Sequence, residues 1–455
     1  MTEWRNWTGD QRCVPARIER PRDRGDLIQV VRRATDQGLT VRAVGSGHSF
    51  TDAACTGGVL IEMDGLSRVL EVDREAGLVK VEGGIGLREM SELIWGHGMA
   101  LENLGDIDKQ TISGAVSTGT HGTGARFRNL SSMIEAMELV LPDGTLLDVS
   151  PASEPELLPA VRVGLGALGV IATLTLRTMP AFSVRRTDSP LPLGETLDRL
   201  QDLADGSDHF EFYVFPHTDT ALLRQSERTD EPAQPRPAAI EFGQEVILEN
   251  WVMGAIARAG RLMPSRIPRL SRFVSSQLAK STKMDRSYRV FASRRLIRFT
   301  EMEYAIPRRH SNDAIPRILE AAERADPPVG FPIEVRFVAA DDSMLSPAHD
   351  RDTCYIAVHQ YRRMAWESYF RAVEAIMDSY GGRPHWGKRH FQTAATLGER
   401  YPRWDDFLAA RARLDPEGRF RNHYLDRVLG PPTRSPLQAA ARSEQVYRKA
   451  LPSPR

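Results

Sequence analysis

The chain is organised around the stretch Arg42-Ala43-Val44-Gly45-Ser46-Gly47-His48-Ser49, in which a short strand runs into a glycine-broken loop that carries a histidine. Glycine reaches positive φ and leaves backbone N–H groups unobstructed, so such a loop can approach a ligand closely. The spacing matches neither GxGxxG between a strand and a helix nor GxxxxGK[ST]. The sequence therefore supports neither an NAD-type site nor a P-loop, and the loop alone is weak evidence for any site.

A second glycine-rich stretch, residues 110–124 (QTISGAVSTGTHGTG), follows several strands later. Small residues dominate it, so it has too few large apolar side chains to form core. Two such loops could hold a pyrophosphate between their backbone amides. Two unrelated turns are the alternative on composition alone.

Length and composition set the broad class of the protein. A chain of 455 residues with 41% hydrophobic residues predicts two domains. Lys plus Arg and Asp plus Glu balance at 60 each, which argues against a nucleic-acid partner. The three cysteines have no CxxC spacing, and neither a signal peptide nor a long apolar run is present. We therefore expect a cytoplasmic protein without disulfides or structural zinc.

The first part of the chain alternates short helical and extended patterns. Helical spacing covers Asp26 to Ala34 and Leu87 to Trp95, and a hairpin is expected between Met137 and Val149. Strands are expected at residues 41–44, 58–63, 68–72, 78–82 and 169–176. This pattern predicts a small mixed sheet with helices, with the domain boundary at Pro180.

The second part predicts an α+β domain, an antiparallel sheet with helices on one face. Its strands are expected at residues 209–215, 300–306, 333–338 and 354–361, and its helices at 313–325, 366–380 and 404–414. Residues 225–239 are polar and proline-rich and predict a mobile loop. Residues 431–455 predict a poorly ordered tail.

A basic segment lies between these strands. Residues 245–262 have helical spacing, and Arg266, Arg269, Arg272, Lys280 and Lys283 follow. A basic amphipathic helix can bind a membrane surface. A helical cap with a solvated basic face is the simpler interpretation, and we do not expect a membrane partner.

The motifs together resemble a known family. Residues 42–51, residues 104–124, Glu301 to Pro307, His385 to Lys388 and Phe420 to Leu425 are similar to the sugar-lactone and alditol oxidases of the vanillyl-alcohol oxidase fold. The resemblance covers nearly the whole chain, least securely residues 225–287. It implies a two-domain α+β fold: a PCMH-type FAD-binding domain at residues 1–180 and a substrate domain at residues 181–430.

The resemblance also implies the cofactor and its attachment. It makes His48 the residue bonded covalently to the flavin 8α-methyl carbon; an ordinary loop histidine is the alternative. Doubly linked relatives add a cysteine from the second loop, and residues 106–124 contain none, so a single bond is expected. His121 resembles a residue that supports the flavin loop. The expected FAD-binding residues are Val44, Gly45, Ser46, Gly47, His48, Ser49, Ser113, Gly114, Ser117, Thr118, Gly119, His121, Gly122 and Ile171.

The expected catalytic residues are Glu334, Arg336 and Lys388. Glu334 and Arg336 alternate on a strand and so share a face, although such a pair can also be a plain surface ion pair. The resemblance implies that they hold substrate hydroxyls and that Lys388 stabilises negative charge at the flavin. His359 and Gln360 are further candidate substrate ligands. A metal site at His349, His359, His385 and His390 lacks diagnostic spacing, so no metal is expected.

The expected reaction is oxidation of an alcohol carbon by hydride transfer to flavin N5, with Glu334 as the first candidate for the proton acceptor. Dioxygen is the expected electron acceptor, helped by small residues at Gly114 and Ala115. A dehydrogenase of the same fold and a flavin-binding protein without catalysis remain as alternatives. The sequence leaves the substrate open among lactones, alditols and related sugars.

Overall fold

The computed structural model describes residues 2–235, 237, 253–293 and 297–432. Its strands are Trp4–Arg5 (β1), Arg12–Cys13 (β2), Arg17–Glu19 (β3), Val41–Val44 (β4), Val59–Glu62 (β5), Val69–Asp73 (β6), Leu78–Glu82 (β7), Met99–Ala100 (β8), Ile134–Val140 (β9), Leu146–Val149 (β10), Val170–Arg177 (β11), Met179–Pro180 (β12), Ser183–Pro192 (β13), His209–Val214 (β14), Thr220–Thr229 (β15), Ser281–Arg286 (β16), Phe299–Pro307 (β17), Ile333–Val338 (β18), Thr353–Tyr361 (β19) and Arg383–Pro384 (β20).

The helices are Arg24–Asp36 (α1), Leu87–Gly96 (α2), Ile112–Ser117 (α3), Leu158–Val161 (α4), Leu193–Asp198 (α5), Leu200–Asp205 (α6), Met253–Leu262 (α7), Ile267–Ser276 (α8), Ser287–Phe291 (α9), Ser311–Glu323 (α10), Glu367–Asp378 (α11), Ala394–Gly398 (α12), Trp404–Leu414 (α13) and His423–Leu429 (α14). Short 3₁₀ turns occupy Met63–Gly65, Leu130–Met133, Pro264–Arg266 and Arg308–His310.

Apart from the two-stranded pairs β1-β2 and β12-β8, the N-terminal part contains two larger sheets instead of the single mixed sheet expected from the sequence. One is a parallel sheet in the order β3-β5-β4, and the other is an antiparallel sheet in the order β10-β9-β11-β7-β6. A parallel pair needs a crossover connection, and between β4 and β5 that crossover is the glycine loop itself. The pairing partners of short apolar strands cannot be read from their sequences, so the pattern could not assign these strands to two separate sheets.

An eight-stranded antiparallel sheet forms the second part, in the order β16-β13-β15-β14-β18-β19-β17-β20. Its apolar face packs against α10 and α11, where Ile315, Ile318 and Phe370 are fully buried. Side chains alternate between the two faces of a strand. The opposite face therefore carries the charged residues of β14, β17 and β18, and this face looks toward the glycine loops.

The C-terminal helices return to the N-terminal part of the molecule. Phe407 of α13 and Tyr424 of α14 are fully buried in the same apolar cluster as Val81 of β7 and Leu174 of β11. Residues near the C-terminus thus complete the core beneath the glycine loops. The boundary at Pro180 stays a prediction, and we propose that α13 and α14 belong with the N-terminal unit.

Several sequence expectations change in the second part. The expected loop at residues 225–239 begins within β15, which pairs with β13 and β14, so residues 225–229 are strand. Strands β13, β15 and β16 were missed because they are polar and lie toward one edge of the sheet. The expected helix at residues 245–262 and the tail lie partly outside the described residues. Among the described helices, none has both the length and the apolarity needed to cross a bilayer.

Candidate active site

A single cleft joins the glycine loops to the charged face of the large sheet. Its empty space, counted with the open mouth, is about 1460 Å³. Residues 41–50 form one wall, residues 105–121 form another, and Glu303, Arg336 and Lys388 reach it from the sheet side. The cleft is therefore built from parts of the chain that are hundreds of residues apart in sequence.

The two glycine loops pack directly against each other. A Cβ atom added at Gly45 would lie 1.9 Å from Thr111 Oγ1, so only glycine fits at that contact. Gly47 has a φ of +65°, which L-residues with a side chain seldom adopt. The backbone N–H of Phe50 donates to the Gly387 carbonyl over 2.8 Å, which joins the first loop to the turn that carries Lys388. Gly45 and Gly47 are therefore required by geometry at the site.

His48 lines the cleft and stacks on Trp7, with ring centroids 5.0 Å apart and planes inclined by 15°. Burial, together with the positive charges of Lys388 and Lys109, lowers the pKa of His48 to about 4. The imidazole is therefore neutral at physiological pH. A neutral imidazole nitrogen carries the lone pair that a covalent bond to a cofactor would need.

Some polar atoms of the cleft wall are buried without a partner among the described residues. They are Trp7 Nε1, Arg42 Nε, His48 Nδ1 and Thr111 Oγ1. Buried polar atoms are normally hydrogen-bonded, so a cluster of exceptions in one cleft indicates a missing ligand. A flat heteroaromatic cofactor with its own donors and acceptors fits this wall, and so does a covalent bond at His48 Nδ1.

Arg42 fixes the floor of the cleft from behind the first loop. Its guanidinium donates to four carbonyl oxygens: Ala53 at 2.7 Å, Gly166 at 2.8 Å, Leu165 at 2.9 Å and Phe420 at 3.0 Å. Burial lowers the pKa of Arg42 to about 10, which still leaves it charged at neutral pH. One buried cation therefore ties together three segments that surround the cleft.

A first group of charges, the lysine cluster, contains Lys388, Glu301, Glu303, His121 and His385. Lys388 Nζ lies 2.5 Å from Glu301 Oε2, and both residues have little solvent exposure. Burial alone would raise the pKa of Glu301, but the Lys388 ammonium, aided by His359, outweighs it and lowers that pKa to about 2. Glu301 and Glu303 in turn raise the pKa of Lys388 against the opposing effect of burial. Lys388 is therefore held as an ammonium at the cleft.

His121 and Glu303 share a proton within this cluster. His121 Nδ1 lies 2.8 Å from the Gly122 carbonyl and must donate to it, because a carbonyl only accepts. The other nitrogen, Nε2, lies 3.2 Å from Glu303 Oε1. An unprotonated nitrogen facing a carboxylate would be repelled, so one proton must lie between them. Burial opposes the charge on Glu303, yet the facing imidazole keeps the pKa of Glu303 well below its usual range.

His385 completes the lysine cluster as a neutral imidazole. Its Nδ1 accepts from the Gly387 N–H over 3.0 Å. Burial lowers the pKa of His385 to about 3 although Glu303 acts in the opposite direction. Ligand atoms of His121, Glu303 and His385 lie within 4.8 Å of one another, close enough to share a cation. The Lys388 ammonium beside the same carboxylates disfavours a dication there. Neither His349 nor His390 joins this trio, so the four histidines weighed from sequence do not form one site.

A second group of charges, the arginine cluster, contains Arg336, Glu334, Glu211, Arg224 and Tyr213. Arg336 Nε donates to Glu211 Oε2 over 2.9 Å, and its Nη2 donates to Glu334 and lies 3.4 Å from Asp106 Oδ2. Tyr213 donates to Glu334 Oε1 over 2.8 Å. Burial would lower the pKa of Arg336, but these carboxylates raise it well above its usual range. The cluster is therefore a closed network of charge-assisted hydrogen bonds.

Ala357 separates the two clusters. It lies opposite Glu303 on one neighbouring strand and opposite Glu334 on the other. Adjacent strands are about 4.8 Å apart, so the two carboxyl-bearing positions are about 10 Å apart across a small side chain. Ala357 therefore stands in register between an acidic residue on each side.

The structure brings most of the sequence-predicted residues to the cleft. Those that line it are Val44, Gly45, Ser46, Gly47, His48, Ser49, Ser113, Gly114, Ser117, Thr118, His121, Ile171, Arg336 and Lys388. Glu334 lies behind Arg336. Gly119, at φ +71°, and Gly122, packed on Asn103, shape the second loop without lining the cleft.

His359 and Gln360 are not brought to the cleft. His359 Nε2 lies 3.5 Å from Glu301 Oε1, so this histidine supports the lysine cluster from the side. Gln360 follows it directly on the strand and therefore points to the opposite, helix-covered face. The two residues are neighbours on β19, so the pleat directs their side chains to opposite faces and they cannot both face one ligand.

Sequence reasoning missed Glu303, His385, Thr111 and Arg42 as residues of the cleft. The pattern Glu301-x-Glu303 gave a usable signal, because two acids alternate within an otherwise apolar strand and must share a buried face. Arg42 gave a similar signal as a charge within the apolar strand β4. Nothing in the sequence marks Thr111 or His385 as neighbours of these residues.

Comparisons with known proteins agree with this geometry. Residues 174–428 match the family model described as D-arabinono-1,4-lactone oxidase, and residues 15–150 match the model described as FAD binding domain. The L-gulono-1,4-lactone dehydrogenase of Mycobacterium tuberculosis is 53% identical over 94% of this chain and 99% of its own length. The mouse L-gulonolactone oxidase is 34% identical over 94% of this chain and 98% of its own.

Solved structures show the same fold at low sequence identity. A solvent-stable cholesterol oxidase superposes with a TM-score of 0.80 at 17% identity, covering 94% of this chain and 97% of that one. At this identity the likeness shows the fold alone. The expectation of a two-domain vanillyl-alcohol oxidase-type fold is confirmed.

Proposed function

Because this chain belongs to the D-arabinono-1,4-lactone oxidase family, we propose that it oxidises a CH–OH group of a sugar lactone, an alditol or a related carbohydrate with FAD as cofactor. One observation carries the proposal: the unpartnered nitrogen of His48 shares its cleft with Lys388 and Arg336. A cofactor wall and a set of cationic oxygen-binding groups therefore face one another. Bound FAD would supply the oxidant, accepting a hydride at N5 from the alcohol carbon.

The cationic side chains position the substrate in this proposal. Lys388 donates hydrogen bonds to a substrate oxygen and stabilises the negative charge that develops as the reaction proceeds. Arg336 reaches the cleft while Glu211 and Glu334 hold its guanidinium. Hydroxyl-rich substrates suit such a surface, since each hydroxyl can both donate and accept.

Glu334 accepts the hydroxyl proton in the proposed reaction. A carboxylate whose pKa is strongly lowered is a poor proton acceptor at neutral pH. This disfavours Glu301 and Glu303, which hold Lys388 and His121 instead. Glu334 lies directly behind Arg336, which lines the cleft and donates a hydrogen bond to it.

We further propose a single covalent bond between His48 Nδ1 and the flavin 8α-methyl carbon. The support is a buried, unpartnered and neutral imidazole at the cofactor wall. Acid precipitation should leave a yellow, fluorescent pellet from the native protein and a colourless pellet from His48→Ala. The matched control is His97→Ala, an exposed histidine on the same part of the molecule, whose pellet should stay yellow.

The two parts of this proposal fail in different ways. A colourless pellet with yellow supernatant from the native protein would contradict the covalent bond and leave FAD binding intact. A colourless native protein that oxidises lactones or alditols at full rate would contradict the FAD-dependent function itself.

We propose dioxygen as the electron acceptor, with hydrogen peroxide as product. Gly114 lines the cleft, and an added Cβ there would meet only Thr111 Oγ1, at 3.2 Å. Ala115, the other residue considered from sequence, lies in the core and adds no access. Peroxide release should match substrate consumption in aerated buffer. Dye reduction without peroxide would instead support a dehydrogenase, the activity named for the Mycobacterium tuberculosis relative.

We also propose a cytoplasmic location. All three cysteines are free thiols, which suits a reducing compartment. Fractionation of cells that express the chain should recover it in the cytoplasmic fraction.

A further inference from the structure

The N-terminal strap, residues 4–13, lies against the glycine loop that carries His48. It consists of β1, β2 and the turn between them, and the two strands form a two-stranded sheet of their own. An isolated two-stranded hairpin is only marginally stable in water, so contacts with the rest of the molecule must hold the strap in place. Many of those contacts are made with the loop around His48.

Hydrogen bonds join the strap to the residues on either side of His48. The backbone N–H of Trp7 donates to the Gly47 carbonyl over 3.1 Å. Asn6 Nδ2 donates to the Ser49 carbonyl over 3.0 Å. The strap therefore holds the backbone immediately before and after His48, while the imidazole Nδ1 keeps no partner among the described residues.

Asn6 shapes the strap for this contact. Its buried side chain accepts, at Oδ1, from the backbone N–H groups of Gly9 at 2.9 Å and of Asp10 and Gln11 at 3.1 Å each. Its Nδ2 also donates to Thr8 Oγ1 over 2.8 Å and to Asp10 Oδ1 over 2.9 Å. Gly9 closes the turn at a φ of +76°. A buried amide that is bonded at both polar atoms fixes one conformation of the strap.

Trp7 is the strap residue that covers His48. The stacking of its ring on the imidazole was described above, and the edges of Phe50 and Phe299 meet the same indole with ring centroids 5.6 Å and 6.0 Å away. Trp7 also lines the cleft. The indole therefore restrains the plane of the His48 ring and shields one face of it from water.

We propose that Trp7, held in place by Asn6, is a positioning residue for the covalent attachment of FAD to His48, an inference that rests on the flavin bond proposed above. Attachment joins His48 Nδ1 to the 8α carbon. One hydrogen of the methyl group and the imidazole proton leave, and two electrons pass through the flavin to dioxygen, which becomes hydrogen peroxide. A ring held in one plane reaches the attacking geometry more often than a freely rotating ring, so stacking speeds the step.

Trp7 also keeps the imidazole in the form that can attack. Burial is the largest cause that lowers the pKa of His48 to about 4, and Lys388 and Lys109 act in the same direction. On the strap, Asp10 is paired with the arginine that follows Lys388. Without the indole, water reaches the ring and its pKa moves back toward the ordinary value of about 6.5. A larger share of His48 would then be protonated at pH 6 and unable to attack.

The test is the rate at which the full-length protein acquires acid-stable flavin. Protein purified after a short induction is incubated with excess FAD, and the flavin in the acid pellet is followed beside the total bound flavin. At pH 8, Trp7→Ala should attach flavin about tenfold more slowly than the native protein, with total bound FAD unchanged. Trp7→Phe retains an aromatic ring and should recover most of the rate. Asn6→Ala releases the strap and should be as slow as Trp7→Ala.

The pH profile separates this role from a general loss of structure. The ratio of the Trp7→Ala rate to the native rate should fall by about fourfold from pH 8 to pH 6, because a histidine with an ordinary pKa loses about that share of its neutral form. The matched control is Trp95→Ala, a half-buried tryptophan on α2 whose ring centroid lies 5.7 Å from that of Tyr288. Its attachment rate should match the native rate at both pH values.

The outcomes that would overturn the proposal differ from those that would overturn the flavin bond. A native pellet that stays colourless would contradict both. A yellow native pellet, with Trp7→Ala attaching flavin at the native rate, would contradict the role of Trp7 alone. Equal slowing by Trp7→Phe or by Trp95→Ala would do the same. A loss of total bound FAD as large as the loss of acid-stable flavin would make Trp7 a residue of the binding wall without a role in attachment.

Discussion

The lysine cluster and the arginine cluster face the same cleft from one sheet, yet they differ in how their charges are held. Arg336 is a planar fork whose donors reach Glu211, Glu334 and Asp106 together. Lys388 is a point charge on a flexible stem, held chiefly by Glu301. A network of forked bonds fixes geometry, whereas a point charge can shift its bonds toward a bound ligand. The difference indicates that the arginine cluster holds its groups, Glu334 among them, in a fixed geometry, whereas the lysine cluster can adjust to charge that develops at a bound ligand.

The two clusters also differ in how firmly their protonation states are fixed. Every polar group of the arginine cluster named above pairs with an opposite charge or with a hydroxyl group. In the lysine cluster one proton lies between His121 and Glu303, and His385 beside them stays neutral. The lysine cluster therefore contains the groups whose protonation is most sensitive to a change of charge in the cleft. The following substitutions test this contrast, beginning with the largest expected effect.

Replacing the ammonium of the lysine cluster should have the largest effect. We expect Lys388→Met to slow flavin reduction by about a thousandfold, the upper range for removal of one group that stabilises developing charge. Stopped-flow absorbance under anaerobic conditions measures this step directly. Lys388→Arg should recover part of the rate, because it restores the charge without the compact geometry.

Loss of the buried ion pair could also disturb the fold, so a second variant is needed. Lys388→Met/Glu301→Gln removes both charges and should fold as stably as the native chain while remaining slow. If Lys388→Met and Glu334→Ala both reduced the flavin at the native rate, neither side chain would act in the reaction and both proposed roles would be wrong.

The His121–Glu303 pair should affect stability more than rate. His121→Phe keeps an aromatic ring against Tyr355, whose ring centroid lies 3.6 Å from that of His121, but it removes the shared proton. Glu303 would then be a buried carboxylate without its partner, at a cost of about 3–5 kcal/mol at pH 7. The double variant His121→Phe/Glu303→Gln should regain much of this free energy. Urea unfolding of His121→Phe, Glu303→Gln, the double variant and the native protein gives the coupling free energy of the pair.

We also expect the unfolding free energy of His121→Phe to depend on pH in the opposite sense from that of the native protein. In the native protein the pKa of Glu303 is lowered, so its stabilisation is present above the unfolded value and is lost as pH falls through the folded value. In His121→Phe, burial raises that pKa, and folding then takes up a proton. Relative to the native protein, the variant should therefore gain stability from pH 7 to pH 5. An equal loss of unfolding free energy in both proteins from pH 7 to pH 5 would contradict a proton shared between His121 and Glu303.

The sequence could predict the strands that carry the two clusters and several of their residues. It could not predict that the residues divide into two separate clusters. Period-two and helical spacing predicted β14, β17, β18 and β19 and the helices behind them. The resemblance then supplied Glu334, Arg336 and Lys388 as one set. The pairing register of β19 with its two neighbours places Ala357 between Glu334 and Glu303. Strand register cannot be read from a single sequence, so this separation could not be predicted.

The glycine loops illustrate the same limit. Composition predicted that both loops approach a ligand, and His48 was named from the resemblance. The contact between Gly45 and Thr111, the stacking of Trp7 on His48 and the anchoring by Arg42 all join segments distant in sequence. These contacts depend on the assembled fold and could not be derived from local patterns.

We expect the smallest effect from a substitution in the arginine cluster, and this substitution tests most directly which of its residues accepts the substrate proton. Tyr213→Phe removes the hydroxyl that donates to Glu334 Oε1 over 2.8 Å and that accepts from Arg224 over 3.2 Å. Arg336 still holds Glu334, so we expect a loss of about 1 kcal/mol in unfolding free energy and a fall in flavin-reduction rate of about tenfold or less. A tyrosine that accepted the substrate proton itself would cost about a hundredfold or more. Anaerobic rates at saturating substrate separate these outcomes, and a small effect with unchanged KM would leave Tyr213 as a positioning residue and Glu334 as the group to which the proton goes.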